Sequence, residues 1–120
     1  DEITMYEGSH EHVRSYTYIS DIIDGCILAL ENLEKVGGEI FNLGSDKTNT
    51  TGEGLKLVEK IMNKKAKIKF LPRRHGDQAE TSANIKKIKK VLKYKPKVKF
   101  EEGLKRQVNW YKDKIHKKVK

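Results

Sequence analysis

The sequence predicts a mixed α/β chain. Short stretches rich in β-branched and aromatic residues interleave with longer ones whose apolar residues recur at helical spacing. Glycine, proline and asparagine fall between them. No internal repeat and no Gly/Ser/Pro-rich linker divides the 120 residues, so one domain over 1–120 is expected.

In order, ITMYEG (3–8) reads as a strand that turns at Glu7–Gly8. VRSYTYIS (13–20) sets Val13, Ser15, Thr17 and Ile19 against Arg14, Tyr16 and Tyr18, which predicts a second strand. The two tyrosines are expected to pack against protein, with stacking on a base or sugar as the alternative. Ser20 or Asp21 caps a helix that buries Ile22, Ile23, Cys26, Ile27, Leu30 and Leu33 and stops at Gly37–Gly38. EIFNLGS (39–45) reads as a strand closing on Gly44. Thr50 and Glu53 have capping-box spacing before a helix that buries Leu55, Val58, Ile61 and Met62. AKIKFLP (66–72) is a strand with Ile68 and Phe70 inward. Asn84 caps a helix carrying Ile85, Ile88, Val91 and Leu92, and Pro96 breaks the chain after it. A last helix from near Phe100 carries Leu104, Val108, Tyr111 and Ile115, with Trp110 beside that stripe. Residues 115–120 form a basic tail expected to fray.

Composition narrows the class. No apolar run approaches the ~18 residues of a transmembrane helix, and no signal-peptide pattern opens the chain. No membrane partner and a cytoplasmic location are expected. Cys26, the single cysteine, cannot form an internal disulfide, and its place on an apolar face reads as core. The net charge is +9, with acids concentrated before Ile40 and lysines after Asn84, as in IKKIKK (85–90). Such asymmetry suits a small basic nucleic-acid-binding or interaction module. Few aromatics stand among the lysines, so a solvated helix face is the simpler reading and nucleic acid is not the expected partner. His10 and His12 flank Glu11 and could face one side of a strand, but no third ligand stands at a telling distance, so no metal site is expected. His75 reads as a solvent-facing turn residue and His116 as tail.

FLPRRHGDQAET (70–81) has no helical period and sets Arg73 and Arg74 just before Gly76–Asp77. One reading is an exposed salt bridge of little worth. The other is a ligand clamp. Guanidinium groups offer planar, paired donors to phosphate, and a carboxylate accepts from neighbouring hydroxyls. Gly76 would permit the tight turn between them. Two absences bear on chemistry: there is no G-x-G-x-x-G turn and no Tyr-x-x-x-Lys pair.

VRSYTYISDIIDG resembles the Arg-Asp-Phe-Thr-Tyr-Val-x-Asp segment of the extended short-chain dehydrogenases, the nucleotide-sugar epimerases and dehydratases. EIFNLGS resembles that family's strand ending in Asn-x-Gly-Ser/Thr. PRRHGDQAETSANIKKIKKVLKYKP resembles its Pro-Arg-Arg-x-Gly-Asp segment and the helix that follows, and FEEGLKRQVNWYK resembles its final helix. The similarities are collinear, cover nearly the whole chain and look nearest to UDP-glucose and UDP-glucuronate 4-epimerases.

The resemblance implies the C-terminal, substrate-binding part of such an enzyme, lacking the N-terminal Rossmann half with the NAD loop and the catalytic pair. It implies NAD in the intact enzyme and none for this chain, no catalytic residue here, a UDP-sugar ligand, and no turnover by the chain alone. Opening on Asp1 fits a piece cut from a longer protein. Arg14 matches the family arginine that contacts the diphosphate, Arg74 the second phosphate arginine, and Asp77 the acid on the ribose hydroxyls. Arg73 is then the exposed neighbour, although the pair could exchange roles. Ser15, Asn84, Lys93 and Lys99 depart from the family's usual Asp, Asp, Gly and Ser/Thr. A strand near Phe41 without its sheet would leave an open edge, so a homodimer is expected beside the missing Rossmann half as partner.

Overall fold

The computed structural model describes residues 2–115. The chain runs β1 (Glu2–Tyr6), a 3-10 turn (Ser9–Glu11), β2 (Val13–Arg14), α1 (Ile19–Glu31), α2 (Leu33–Val36), β3 (Asn49–Thr50), α3 (Thr51–Met62), β4 (Lys67–Leu71), β5 (Glu80–Thr81), α4 (Lys86–Leu92) and α5 (Phe100–Lys114). The α/β class is as predicted. β1 and β4 pair in parallel with Tyr6 opposite Leu71. β2 lies between β3, antiparallel, and β5, parallel.

The core is small and sits around α4. Val36, Ile85, Ile88, Leu92 and Tyr94 are buried together, with Leu28, Ala29, Phe41 and Leu43 partly buried against them. The helix-spaced residues of α4 are thus its packing face, as expected. Tyr94 lies just beyond Lys93, a left-handed C-cap with φ 57°, which turns the ring back under the helix. Its hydroxyl donates to the Gly44 carbonyl at 3.2 Å, and burial raises its pKa. The Cα radius of gyration is 17.4 Å. A compact domain of this length would give about 14 Å, so the fold is open, with much apolar side chain uncovered.

α3 carries the capping box that its sequence predicts. Thr50 accepts the Glu53 N–H at 3.1 Å, and Glu53 accepts the Thr50 N–H at 2.7 Å. Leu55, Val58 and Ile61 are half-buried, while Met62 is exposed. A Cβ at Gly54 would lie 3.1 Å from the Phe100 ring, so this glycine lets α3 and α5 approach closely.

Several expectations are corrected. The strand expected over 13–20 is limited to Val13–Arg14, and the chain then runs extended into α1. Neither Ser20 nor Asp21 caps that helix. The N-cap is Tyr18, and the buried Asp21 carboxylate instead accepts the N–H groups of Lys97 and Val98.

α1 also turns the other way round. Ile23, Ile27, Leu30 and Leu33 are 46–70% exposed and Cys26 is exposed. The packed face is Asp21, Gly25, Leu28 and Ala29. Gly25 explains this: a Cβ there would collide with Leu43 and stand 3.2 Å from Tyr94. The glycine face is the one that can come close enough to the core.

Residues 39–45 form no strand, because no other strand among the described residues lies alongside them. Ile68 and Phe70 face outward, at 37% and 52% exposure, because β4 has a partner on one edge and its face is uncovered; Met5 of β1 is the buried residue of that pair. Trp110 and Tyr111 are half-exposed, while Leu104 and Val108 are half-buried. The Asn84 side chain accepts the Lys86 N–H at 3.2 Å, one residue ahead of the geometric cap at Ile85. The tail expected to fray lies, beyond Ile115, outside the described residues.

Candidate functional site

β1 and β4 are parallel, so their carboxyl ends emerge side by side, the position where open α/β sheets offer loops to ligands. The Glu7 N–H donates to the Leu71 carbonyl at 2.9 Å and closes this end. Gly8, at φ +80°, turns the chain away after β1. Beyond β4 the chain turns again at Gly76, φ +83°, a conformation that favours glycine. That turn brings Arg74 and Asp77 together. Nε and Nη2 of Arg74 both donate to Oδ1 of Asp77, at 2.9 and 2.5 Å. This contact raises the Arg74 pKa, so its charge is permanent. The Arg74 guanidinium lies over the Tyr6 ring, 5.2 Å from its centroid. A hollow of about 290 Å³ is lined by Arg73, Arg74, His75, Gly76 and Asp77.

Arg14 reaches the same loop from β2. Its Nη2 donates to the Gln78 carbonyl at 2.7 Å, and its Nη1 donates to the carbonyls of Val13 at 2.7 Å and Ala79 at 3.4 Å. Arg14 therefore braces the backbone immediately after Asp77. Ser15 extends the brace: its hydroxyl accepts the Ala83 N–H at 3.1 Å. The structure thus gathers Arg14, Arg74 and Asp77 around one loop. It also shows two bonds that sequence spacing misses, Arg74 on Tyr6 and Arg14 on the 78–79 carbonyls. Each joins residues more than sixty positions apart, or involves backbone atoms that any sequence possesses.

The remaining candidates have ordinary partners. Tyr16 stacks on Phe100 at 4.7 Å, and Arg106 of α5 lies over Tyr18 at 5.4 Å, so both tyrosines pack on protein. Lys87 and Lys89 of α4 pair with Glu39 and Asp46. His10 lies edge-on to Phe70, and among the described residues no three His, Cys, Asp or Glu side chains gather as metal ligands. No helix among them is long and apolar enough to cross a membrane.

The fold is that of the C-terminal part of an extended short-chain dehydrogenase of the nucleotide-sugar epimerase and dehydratase class. The family model described as GDP-mannose 4,6 dehydratase matches residues 1–107, and the chain belongs to that family. An uncharacterised protein of Methanocaldococcus jannaschii is 48% identical over 111 residues, 92% of this chain and 33% of that protein. The UDP-glucuronate 4-epimerase of Thermodesulfobacterium geofontis is 40% identical over 109 residues, again 33% of its length. A crystal structure of the Bacillus cereus UDP-glucuronic acid 4-epimerase in complex with UDP-glucuronic acid and NAD superposes with a TM-score of 0.84 at 31% identity, over 93% of this chain and 35% of that one. The Thermotoga maritima UDP-glucose 4-epimerase with UDP-glucose gives 0.82 at 31% identity, over 94% and 35%. The chain thus spans about a third of the length of the curated relatives it matches.

NAD accompanies the Bacillus cereus enzyme in its crystal structure. The one Gly-x-Gly pair here, Gly52 and Gly54, lies inside α3 and is closed by His10 and Phe100, so it does not fit a dinucleotide.

Proposed function

We propose that this chain is the nucleotide-sugar-binding domain, over 1–120, of an NAD-dependent epimerase or dehydratase, and that it holds a UDP-sugar through Arg14, Arg74 and Asp77. One observation carries the reading: the turn at the carboxyl ends of two parallel strands presents Arg74 and Asp77 around an open hollow, with Arg14 anchored to the next two carbonyls. Relatives that act on UDP-sugars match over the same segment. Arg74 donates to the diphosphate and Asp77 accepts from the ribose hydroxyls. Arg14 holds the backbone just after Asp77 and lends its charge. In the intact enzyme NAD supplies the redox chemistry. The sequence here has no Tyr-x-x-x-Lys pair to move the sugar's proton, so the chain alone binds without turnover.

The complementary N-terminal part is the natural partner. The exposed α1 stripe and the strandless 39–45 segment support this, since both are apolar surface that a larger core would cover. Without that part, two copies associate through the same surface as a homodimer. The free thiol of Cys26 fits a reducing cytoplasm. The pairing of Lys87 and Lys89 with acids weakens the alternative of a nucleic-acid module.

Titration with UDP-glucose, followed by NMR beside an Arg74→Ala variant, tests the reading. Shifts at residues 14 and 74–77 that vanish in the variant are expected. No shift at millimolar ligand would overturn it for this chain.

A further inference from the structure

We propose that Tyr6 is a positioning residue for Arg74: its ring holds the guanidinium at the mouth of the hollow before any ligand arrives. The inference rests on the reading of Arg74 as the phosphate-binding group.

The geometry comes from strand register. Tyr6 is the last residue of β1 and stands opposite Leu71, the last residue of β4. Three residues later the chain has crossed the end of β1 and laid Arg74 over the ring. Gly8 diverts the other chain, leaving the half-buried ring in place beneath. The guanidinium is then fixed in two directions. Its central carbon lies over the ring, and its Nε–Nη2 edge is held by Asp77. A guanidinium has five N–H donors, and this arrangement commits two of them. The side chain is 62% exposed, and the Tyr6 hydroxyl is a further polar neighbour of the guanidinium. A phosphate can therefore approach the exposed guanidinium while Asp77 stays in place.

Arginine carries much rotamer freedom, and fixing it beforehand removes that cost from binding. The aromatic face attracts the cation, and the tyrosine hydroxyl adds a neutral acceptor beside it. Tyr6 contributes, after Asp77, to the raised pKa of Arg74.

The test compares Tyr6→Leu and Tyr6→Phe. It reads the Arg74 Nε–Hε resonance without ligand, then the affinity for inorganic pyrophosphate and for UDP. Leucine should abolish the ring-current shift at Arg74 and weaken pyrophosphate binding about three- to fivefold. Phenylalanine keeps the ring and should preserve the ring-current shift, with any loss of affinity smaller than that of leucine. An unchanged Arg74 resonance in Tyr6→Leu would overturn the inference. So would a loss confined to UDP, because the ring would then be serving the base and not the arginine. Wild-type protein that binds no pyrophosphate would count against Arg74 as the phosphate group, while the ligand-free resonance would still decide what Tyr6 does.

Discussion

The carboxylate of Asp21 accepts the backbone N–H of Lys97 at 3.0 Å and of Val98 at 3.1 Å. This buried group ties the first turn of α1 to the segment that leads into α5, more than seventy residues on. It stands where a capping side chain was expected and does a longer-range task. Removing it would orphan two N–H groups in a part-buried place. Asp21→Ala should cost about 2–4 kcal/mol, read as a lower urea midpoint. A loss within the range of a surface change, about 0.5 kcal/mol, would show that water replaces the carboxylate.

Lys93 sits at φ 57° at the end of α4. A side chain is strained there and glycine is not. Lys93→Gly should raise stability by about 0.5–1 kcal/mol, measured by urea unfolding. No gain would mean that the lysine's packing offsets the backbone strain.

Two carboxyls give the acid limb a definite sign. The Thr50 N–H holds Glu53, and the Ala66 N–H holds Glu59, below their ordinary 4.5. A depressed carboxyl contributes stability that is fully present above its unfolded value and lost as pH falls through its folded value. Stability should decline from about pH 4.5 downward. Glu53→Gln keeps a neutral acceptor at the cap and should flatten part of that decline. Parallel unfolding midpoints for the two proteins across this range would refute the linkage.

Arg14→Lys separates bracing from charge. Lysine keeps the charge but cannot span the carbonyls of Gln78 and Ala79 as the fork does. Amides near residues 77–81 should exchange faster, and UDP-glucose should bind several-fold more weakly. Unaltered exchange would leave Arg14 as a charge only.

The exposed stripe of α1 should drive self-association of the chain. Ile27→Lys with Leu30→Glu should bring the mass by light scattering to that of a monomer with helix content unchanged. A wild-type chain that is already monomeric would refute the homodimer.

Local signals in the sequence were legible wherever a single segment suffices. The capping box at Thr50 and Glu53 and the apolar face of α4 formed as spacing predicts. The Arg74–Gly76–Asp77 turn was readable for the same reason, because its donor, hinge and acceptor lie within four residues. The orientation of α1 was not. Periodicity identifies an apolar face but not what covers it, and the face that packs here is chosen by Gly25 against Leu43 and Tyr94.

By itself the sequence determined the α/β class, the apolar face of α4, and which residue types could meet a phosphorylated ligand. It did so because propensity, capping and period act over a few neighbouring residues. Tertiary structure alone decided that Tyr6 underlies Arg74, that Arg14 braces the loop after Asp77, and that Asp21 is a buried tie. Those contacts depend on strand register and chain crossing, which bring together groups that no local pattern connects.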